Sequence, residues 1–346
     1  MKYYLLIFYP LIIFCINNFF KKKKFIPNFS GEKHQKILGT KSIPLSGGLY
    51  LLCGLAYIFH DQYILFGLFF FLIFIIGFVS DLKLLSSPKL RFLFQSILIF
   101  TFIYYSKLNI ESTRIFILDI TLQNFFLSCL FTSFCLMIVV NGTNFIDGLN
   151  ALVLSYYLIL LLVLFKLGLL SYINVDNQQI IFLSALLFVL IILNISNQLY
   201  LGDSGAYSLG FLFGFILISI YQNHQYLSPF FIVLLLWYPA FETLFSIIRK
   251  LFIKKSPIQP DSSHLHQLLF FFIKKRFLYS PNISNNLSSF LIITYNLVIF
   301  IFGMLDIYHS GYQIFLIFLN IIIYSIVYSR LILFQVKSNV KIKRNP

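Results

Sequence analysis

Eleven apolar runs of helix length, or close to it, divide the chain, and short polar stretches join them. They fall at about 3–20, 46–60, 62–79, 90–105, 124–140, 151–170, 179–194, 206–221, 227–247, 289–304 and 312–334. A bilayer-spanning helix needs ~20 mostly apolar residues, so the pattern predicts an all-α polytopic membrane protein with about eleven transmembrane helices. Only the His60-Asp61 turn separates the second run from the third. No internal repeat or soluble domain interrupts the series. We therefore expect a single integral membrane domain over 1–346, with polar loops at about 80–91, 141–150, 195–205 and 248–288. Within the last of these, Leu268–Phe272 is apolar enough for a short interfacial helix.

Composition agrees. Of 346 residues 59% are hydrophobic and 11% charged, and mean hydropathy is +0.89, whereas about 25% of a soluble domain is charged. The four cysteines (Cys15, Cys53, Cys129, Cys135) lie in apolar runs with no CxxC pair, which points to buried small hydrophobes rather than a disulfide or metal site. Lys2 and the following apolar run resemble a signal peptide, but no small-residue cleavage site follows. Lys21–Lys24 instead flank a retained first helix.

Charge sets the orientation. Of the 26 lysines and arginines, 22 lie at 21–45, 80–91, 248–288 or from Arg330 onward; Lys2, Lys107, Arg114 and Lys166 fall on the opposite side. The positive-inside rule then puts the N-terminus outside and the C-terminus in the cytosol. The net charge of +15 describes a cytosolic face that attracts anionic lipids and phosphate-bearing ligands.

That face also collects polar motifs which positive-inside bias does not explain. Asp81, Asp147, Asp203 and Asp261, four of only eleven acidic residues, all fall on it. Asp203 lies in Leu201-Gly202-Asp203-Ser204-Gly205 before a span. The glycines permit a tight bend and Ser204 is placed to cap the next helix, whose N-terminus favours anions. A carboxylate there suits Mg²⁺, which takes one or two protein carboxylates plus phosphate and water oxygens; the plainer reading makes Asp203 itself the cap. Asp81 has Lys83, Lys89 and Arg91 close behind it, a set suited to metal and phosphate. Asn141, Asn144 and Asp147, at i, i+3 and i+6, share one face of a continuing helix, where they can read a polar heterocycle or sugar or simply cap the helix. His264 and His266, at i and i+2, need a non-helical conformation to act together on phosphate or sugar oxygens. With Asp261 they supply too few ligands for a convincing zinc site. Glu242, inside the ninth run, is an ionisable group in a membrane segment and is functional by default, unless it pairs with Arg249. Together these groups suggest Mg²⁺-assisted phosphoryl transfer.

The motifs resemble the polyprenyl-phosphate N-acetylhexosamine-1-phosphate transferase family, of glycosyltransferase family 4 type. The likeness runs through Lys33-His34, Pro44–Gly48, Ser80-Asp81, Lys89-Leu90-Arg91 with Gln95, Asn141–Asn150, Leu201–Phe211 and Ser256–His266. It implies transfer of a sugar 1-phosphate, of an N-acetylated amino sugar, from a UDP-sugar to undecaprenyl phosphate. The products are undecaprenyl-diphosphate-sugar and UMP, at the start of cell-envelope polysaccharide synthesis such as lipopolysaccharide. By the same resemblance Asp203 is the Mg²⁺ ligand (Mn²⁺ being the substitute ion), Asp81 the second carboxylate of a pair, and Lys89 the phosphate-neighbouring lysine. Asn141, Asn144 and Asp147 fall in the nucleotide-sugar segment, and His264 and His266 form the histidine motif. Implied partners are the UDP-activated amino sugar, the polyprenyl phosphate and membrane lipid, with no nucleic acid and a homodimer left open. The implied location is the bacterial inner membrane with the site facing the cytosol.

The chain departs from the family pattern at Ser80, where the first carboxylate of the pair is usual, at Asn150, where many members carry Asp, and at Asn194, one residue too close to Asp203 to match. A lipid phosphate monoester, with its second pKa near ~6, is largely dianionic at neutral pH and needs little help from a base, which softens the loss at Ser80. The rival within the family is the phospho-N-acetylmuramoyl-pentapeptide branch; His264-Leu265-His266 and the short loops look more like the simple-sugar branch. A relative disabled by Ser80 and Asn150 is a second rival. A transporter would place Asp203, Asp147 and Glu242 along a path near mid-bilayer in paired, broken halves, whereas here the carboxylates cluster at one surface and no halves repeat.

Overall fold

A computed structural model describes residues 12–19, 28–29, 43–58, 64–173, 175–254, 256 and 263–344. Lys21–Lys24, Lys33, His34, the His60-Asp61 turn and Asp261 lie outside these residues. The helices are α1 (residues 12–19), α2 (Gly47–Ile58), α3 (Ile64–Asp81), α4 (Pro88–Ser106), α5 (Phe116–Leu122), α6 (Phe125–Ile146), α7 (Leu152–Lys166), α8 (Asn177–Ile195), α9 (Gly202–Asn223), α10 (Pro229–Leu235), α11 (Trp237–Phe252), α12 (Leu265–Phe277), α13 (Pro281–Gly303) and α14 (Ser310–Arg344). A 3₁₀ turn covers Leu169–Ile173. Two-residue strands, Asn28–Phe29 (β1) and Ile43–Pro44 (β2), pair antiparallel.

Among the described residues every apolar run falls on helix, the ninth being divided between α10 and α11, and the protein is an all-α polytopic membrane protein. Among the described residues six helices are long and apolar enough to cross a bilayer: α3, α6, α8, α9, α13 and α14. A seventh span forms if α10 and α11, bent by 78° at Leu236, count as one. The remaining runs make shorter or more polar helices. The α2 helix has 12 residues and α7 has 15, while α4 carries Lys89 and Arg91 in its first turn.

Helix α9 is the axis of the bundle. Its whole apolar window is buried, and it packs against α3, α6 and α2. At Gly77 of α3 a Cβ would run into the backbone of Ser204 in α9. This bare backbone approach, the small-residue packing of membrane helices, brings the end of α3 onto the start of α9. At the far end of the bundle Arg114 ties the loops together, its guanidinium donating to the carbonyls of Gln225, Tyr226, Leu227 and Tyr308.

Candidate active site

The bundle brings the polar ends of α3, α4, α6 and α9 together. Helix α9 starts two residues earlier than Ser204 could cap it: Gly202, at φ +77°, takes the chain into the helix from a left-handed conformation. Its N-terminus has no side-chain cap of its own. Asp81, the last residue of α3, supplies one. The Asp81 carboxylate accepts from the N–H of Asp203 (2.8 Å), the N–H of Ser204 (3.1 Å) and the hydroxyl of Ser204 (2.7 Å). A carboxylate on the first free N–H groups of a helix is stabilised by both the hydrogen bonds and the helix dipole. Ser204 therefore donates to a cap rather than being one.

Asp203, in the first turn of α9, faces the other way. Its Oδ2 accepts from the Ser80 hydroxyl (2.6 Å) and from Arg91 Nη1 (2.5 Å), and Arg91 also donates to Ser80 Oγ (2.7 Å). Pro88 at the first turn and Ser87, whose hydroxyl accepts from Leu90 N–H, start α4 where Arg91 can reach Asp203. Lys89 is exposed. Arg91, rather than Lys89, is the cation the structure couples to Asp203, and the spacing behind Asp81 did not separate the two.

Asp147 ends α6 as its C-cap. Burial, and then the negative charges of Asp203 and Asp81, hold its carboxyl well above the ordinary carboxylate range. Three carboxylates thus share one end of the bundle with Arg91. Asn144 donates to the Tyr207 hydroxyl (3.3 Å), and Asn141 donates to its own helix at the Met137 carbonyl (3.0 Å). The helix continues through Asn141 and Asn144, as their spacing predicted.

Asn150 and Asn194 serve the scaffold. Asn150, 3% exposed, donates to Asn197 Oδ1 (2.9 Å) and Asn286 Oδ1 (3.2 Å), and its carbonyl accepts from Ser289. Asn194 accepts from the Ala151 N–H and donates to the Leu199 carbonyl.

The histidines approach the Asp147 turn from α12, which extends the expected apolar segment to Leu265–Phe277. His264 is the helix N-cap, with φ −75° and ψ 148°. That extended residue breaks the helical period, so His264 and His266 can stand side by side, their rings 5.7 Å apart and nearly parallel. The His264 ring lies 5.7 Å from Phe145. His266 is fully buried and presses on Gly148, where a Cβ would collide with its Nε2. Burial, then the neighbouring His264, push its pKa down to about 3, so the ring is neutral at ordinary pH. Neither of its ring nitrogens has a hydrogen-bond partner among the described residues. Glu242 pairs with His264 Nδ1 (3.0 Å) and also accepts from Tyr324. The sequence pointed to Glu242 but offered Arg249 as its partner, and it carried no signal for Tyr324.

The donor set suits a hard divalent cation. Asp147 makes no side-chain hydrogen bond among the described residues, and it and Asp203 offer carboxylate oxygens in mutual electrostatic reach. Among the same residues no three His, Cys, Asp or Glu side chains form a closed cage. An open pair of carboxylates is the usual Mg²⁺ arrangement, completed by substrate phosphate and water.

Residues 63–221 match the model of glycosyl transferase family 4. The match covers a little under half of the chain. Three curated proteins are similar. Over 210 residues the chain is 25% identical to a Bacillus subtilis protein named probable undecaprenyl-phosphate N-acetylglucosaminyl 1-phosphate transferase. Over 155 residues it is 28% identical to the decaprenyl-phosphate N-acetylglucosaminephosphotransferase of Mycolicibacterium smegmatis. Over 134 residues it is 28% identical to the undecaprenyl-phosphate alpha-N-acetylglucosaminyl 1-phosphate transferase of Thermotoga maritima. These alignments cover 58%, 38% and 38% of this chain, and 56%, 37% and 39% of the relatives. The chain thus spans about half the length of these relatives, or less.

Proposed function

We propose that the protein transfers the sugar 1-phosphate of a UDP-activated N-acetylated amino sugar to undecaprenyl phosphate, with UMP as the second product. The observation that carries this reading is the meeting of Asp81, Ser80, Arg91 and Asp203 in one hydrogen-bonded group at the start of α9, inside the family 4 segment. The names of the similar proteins supply the polyprenyl phosphate and N-acetylglucosamine classes.

In the reaction an oxygen of the lipid phosphate attacks the sugar-linked phosphorus. A P–O bond forms to the lipid, the P–O bond to UMP breaks, and UMP carries away the electron pair. Asp203 and Asp147 would hold Mg²⁺, or Mn²⁺ in its place, and the ion when bound neutralises charge on the donor diphosphate. Asp81 keeps the first turn of α9 in place and so sets the direction of the Asp203 carboxylate. Arg91, bonded to Asp203 and Ser80, is the counter-charge placed to meet a phosphate at this site. The cations at this end of the bundle favour the phosphates. Ser80 offers a hydroxyl where a base is usual, which fits a nucleophile that arrives as a dianion. The site faces the cytosol of a bacterial inner membrane on the positive-inside argument, and the product initiates cell-envelope polysaccharide assembly.

The test is to incubate membranes containing the protein with undecaprenyl phosphate and a panel of UDP-sugars, with Mg²⁺ or with chelator. Release of UMP and a lipid product of matching mass are expected with Mg²⁺ alone. Asp203→Asn, inserted and folded, should lose turnover by on the order of 10²-fold or more. No UMP from any UDP-sugar would end the reading, and wild-type turnover in Asp203→Asn would end the metal assignment.

A further inference from the structure

Helices α6 and α9 touch backbone to backbone inside the bundle and run together from there to the site. At Gly210 of α9 a Cβ would meet the Cα of Val140 in α6. Asp203 lies seven residues before Gly210, and Asp147 seven residues after Val140. At a helical rise of 1.5 Å per residue each carboxylate stands about 10 Å from this contact, toward the same end of the bundle. The contact fixes one point between the two helices and leaves their angle free. Over this length an opening of about 5° moves one carboxylate by about 0.9 Å. Mg²⁺ demands near-ideal geometry, with oxygens at ~2.0–2.1 Å, so a shift of that size weakens its grip.

Tyr207 lies on the stretch between the contact and the carboxylates. It follows Asp203 by one turn of α9, and Asn144 precedes Asp147 by three residues on α6. Asn144 Nδ2 donates to the Tyr207 hydroxyl (3.3 Å). Gln95, fully buried on α4 one turn after Arg91, approaches the same hydroxyl. The helices that carry Arg91, Asp147 and Asp203 thus meet on one buried phenol, about one turn deeper than those three side chains. The next residues on this face of α9 are Phe211 and Phe215, which stack on Phe66. A phenylalanine at 207 would continue that apolar face without the cost of burying a hydroxyl. What the hydroxyl adds is a tie between α6 and α9 midway to the carboxylates.

We propose that Tyr207 is a positioning residue whose hydroxyl, held by Asn144, sets the gap between Asp203 and Asp147 and with it the affinity of this carboxylate pair for a divalent cation. The proposal rests on the metal reading of these two carboxylates.

Two titrations test it on the full-length protein in detergent, with thermal unfolding as the check on folding. The first is binding of Mn²⁺ alone, without substrate, read from the loss of the free-ion paramagnetic resonance signal. The second is UMP release as Mg²⁺ is raised. We expect Tyr207→Phe to weaken Mn²⁺ binding by about 10-fold and to raise the half-activating Mg²⁺ concentration by a similar factor. Most of its turnover should return at saturating Mg²⁺. Once Asn144 is alanine, Tyr207→Phe should add nothing to the loss of Mn²⁺ affinity. Wild-type Mn²⁺ affinity in folded Tyr207→Phe overturns the proposal. A lost turnover that Mg²⁺ does not restore, or an equal further loss in the Asn144→Ala background, overturns it as well. If Tyr207→Phe does not fold, Asn144→Ala removes the same bond from the other side, and an unchanged Mn²⁺ affinity there overturns the proposal. Failure of both variants to fold makes the bond a structural brace and overturns it too. A wild type that binds no Mn²⁺ defeats the metal reading and the proposal with it. A wild type that binds Mn²⁺ but releases no UMP defeats only the sugar-phosphate reaction, and the binding titration still decides on Tyr207.

Discussion

Asp81→Asn separates the anchoring of α9 from chemistry at its N-terminus. The Asp81 carboxylate holds three donors, with the two Ser204 groups on Oδ2 and the Asp203 N–H on Oδ1. Asparagine has a single acceptor oxygen. Placed where Oδ2 was, it keeps both Ser204 contacts and turns its NH₂ against the Asp203 N–H. An enclosed N–H left without an acceptor costs ~1–3 kcal/mol. Removing the charge gives up its attraction to the helix dipole but also relieves its burial and its repulsion with the Asp203 carboxylate, so the two effects offset. The lost hydrogen bond thus predicts a loss of about 1–3 kcal/mol, which for a chain of this length is roughly 1–4 °C in thermal midpoint on the scale of globular proteins. The assay is thermal unfolding of purified protein in detergent, read beside UMP release at a temperature where both proteins are folded. Turnover should fall with the midpoint, because the N–H that loses its acceptor belongs to Asp203. An unmoved midpoint with turnover abolished would refute the reasoning and make Asp81 a direct participant in the reaction.

Two further substitutions probe the same end of the bundle. Arg91→Gln should lower kcat/KM for the UDP-sugar clearly more than Lys89→Gln does, because only Arg91 reaches Asp203 and Ser80; equal effects in a UMP-release assay would place the working cation at Lys89. Asn150→Ala removes two donors from a joint between α13 and the turn at Asn197, at a cost of about 2–3 kcal/mol. The thermal midpoint should drop while KM for the UDP-sugar moves little. A tenfold rise in KM with an unmoved midpoint would instead make Asn150 a ligand contact.

Helix positions and the composition of the site end are legible in the chain alone. Burial of apolar side chains and satisfaction of every backbone polar group inside a bilayer leave a long apolar run almost no alternative to a helix. Among the described residues every run accordingly became helical, the ninth broken at Leu236, and Asn141 and Asn144 lie on the continuing helix that their spacing implied. The family resemblance also needed only order and spacing, because Ser80-Asp81, Asn141–Asn150 and Leu201–Phe211 are local motifs.

Partnership between distant residues is a different matter. Whether Asp81 would bind a metal or close the open N–H groups of α9 depends on a contact across 122 positions, made where Gly77 lets two backbones touch. The choice between Arg91 and Lys89 depends on which side of one helical turn faces α9. Tyr324 joins Glu242 only because α14 packs on α11, and nothing around Tyr324 in the chain distinguishes it from the other 21 tyrosines. Periodicity and hydropathy act over a few residues and can be read along the chain, but a hydrogen bond between helices needs the angle, depth and rotation of both, and those exist only once the bundle is packed.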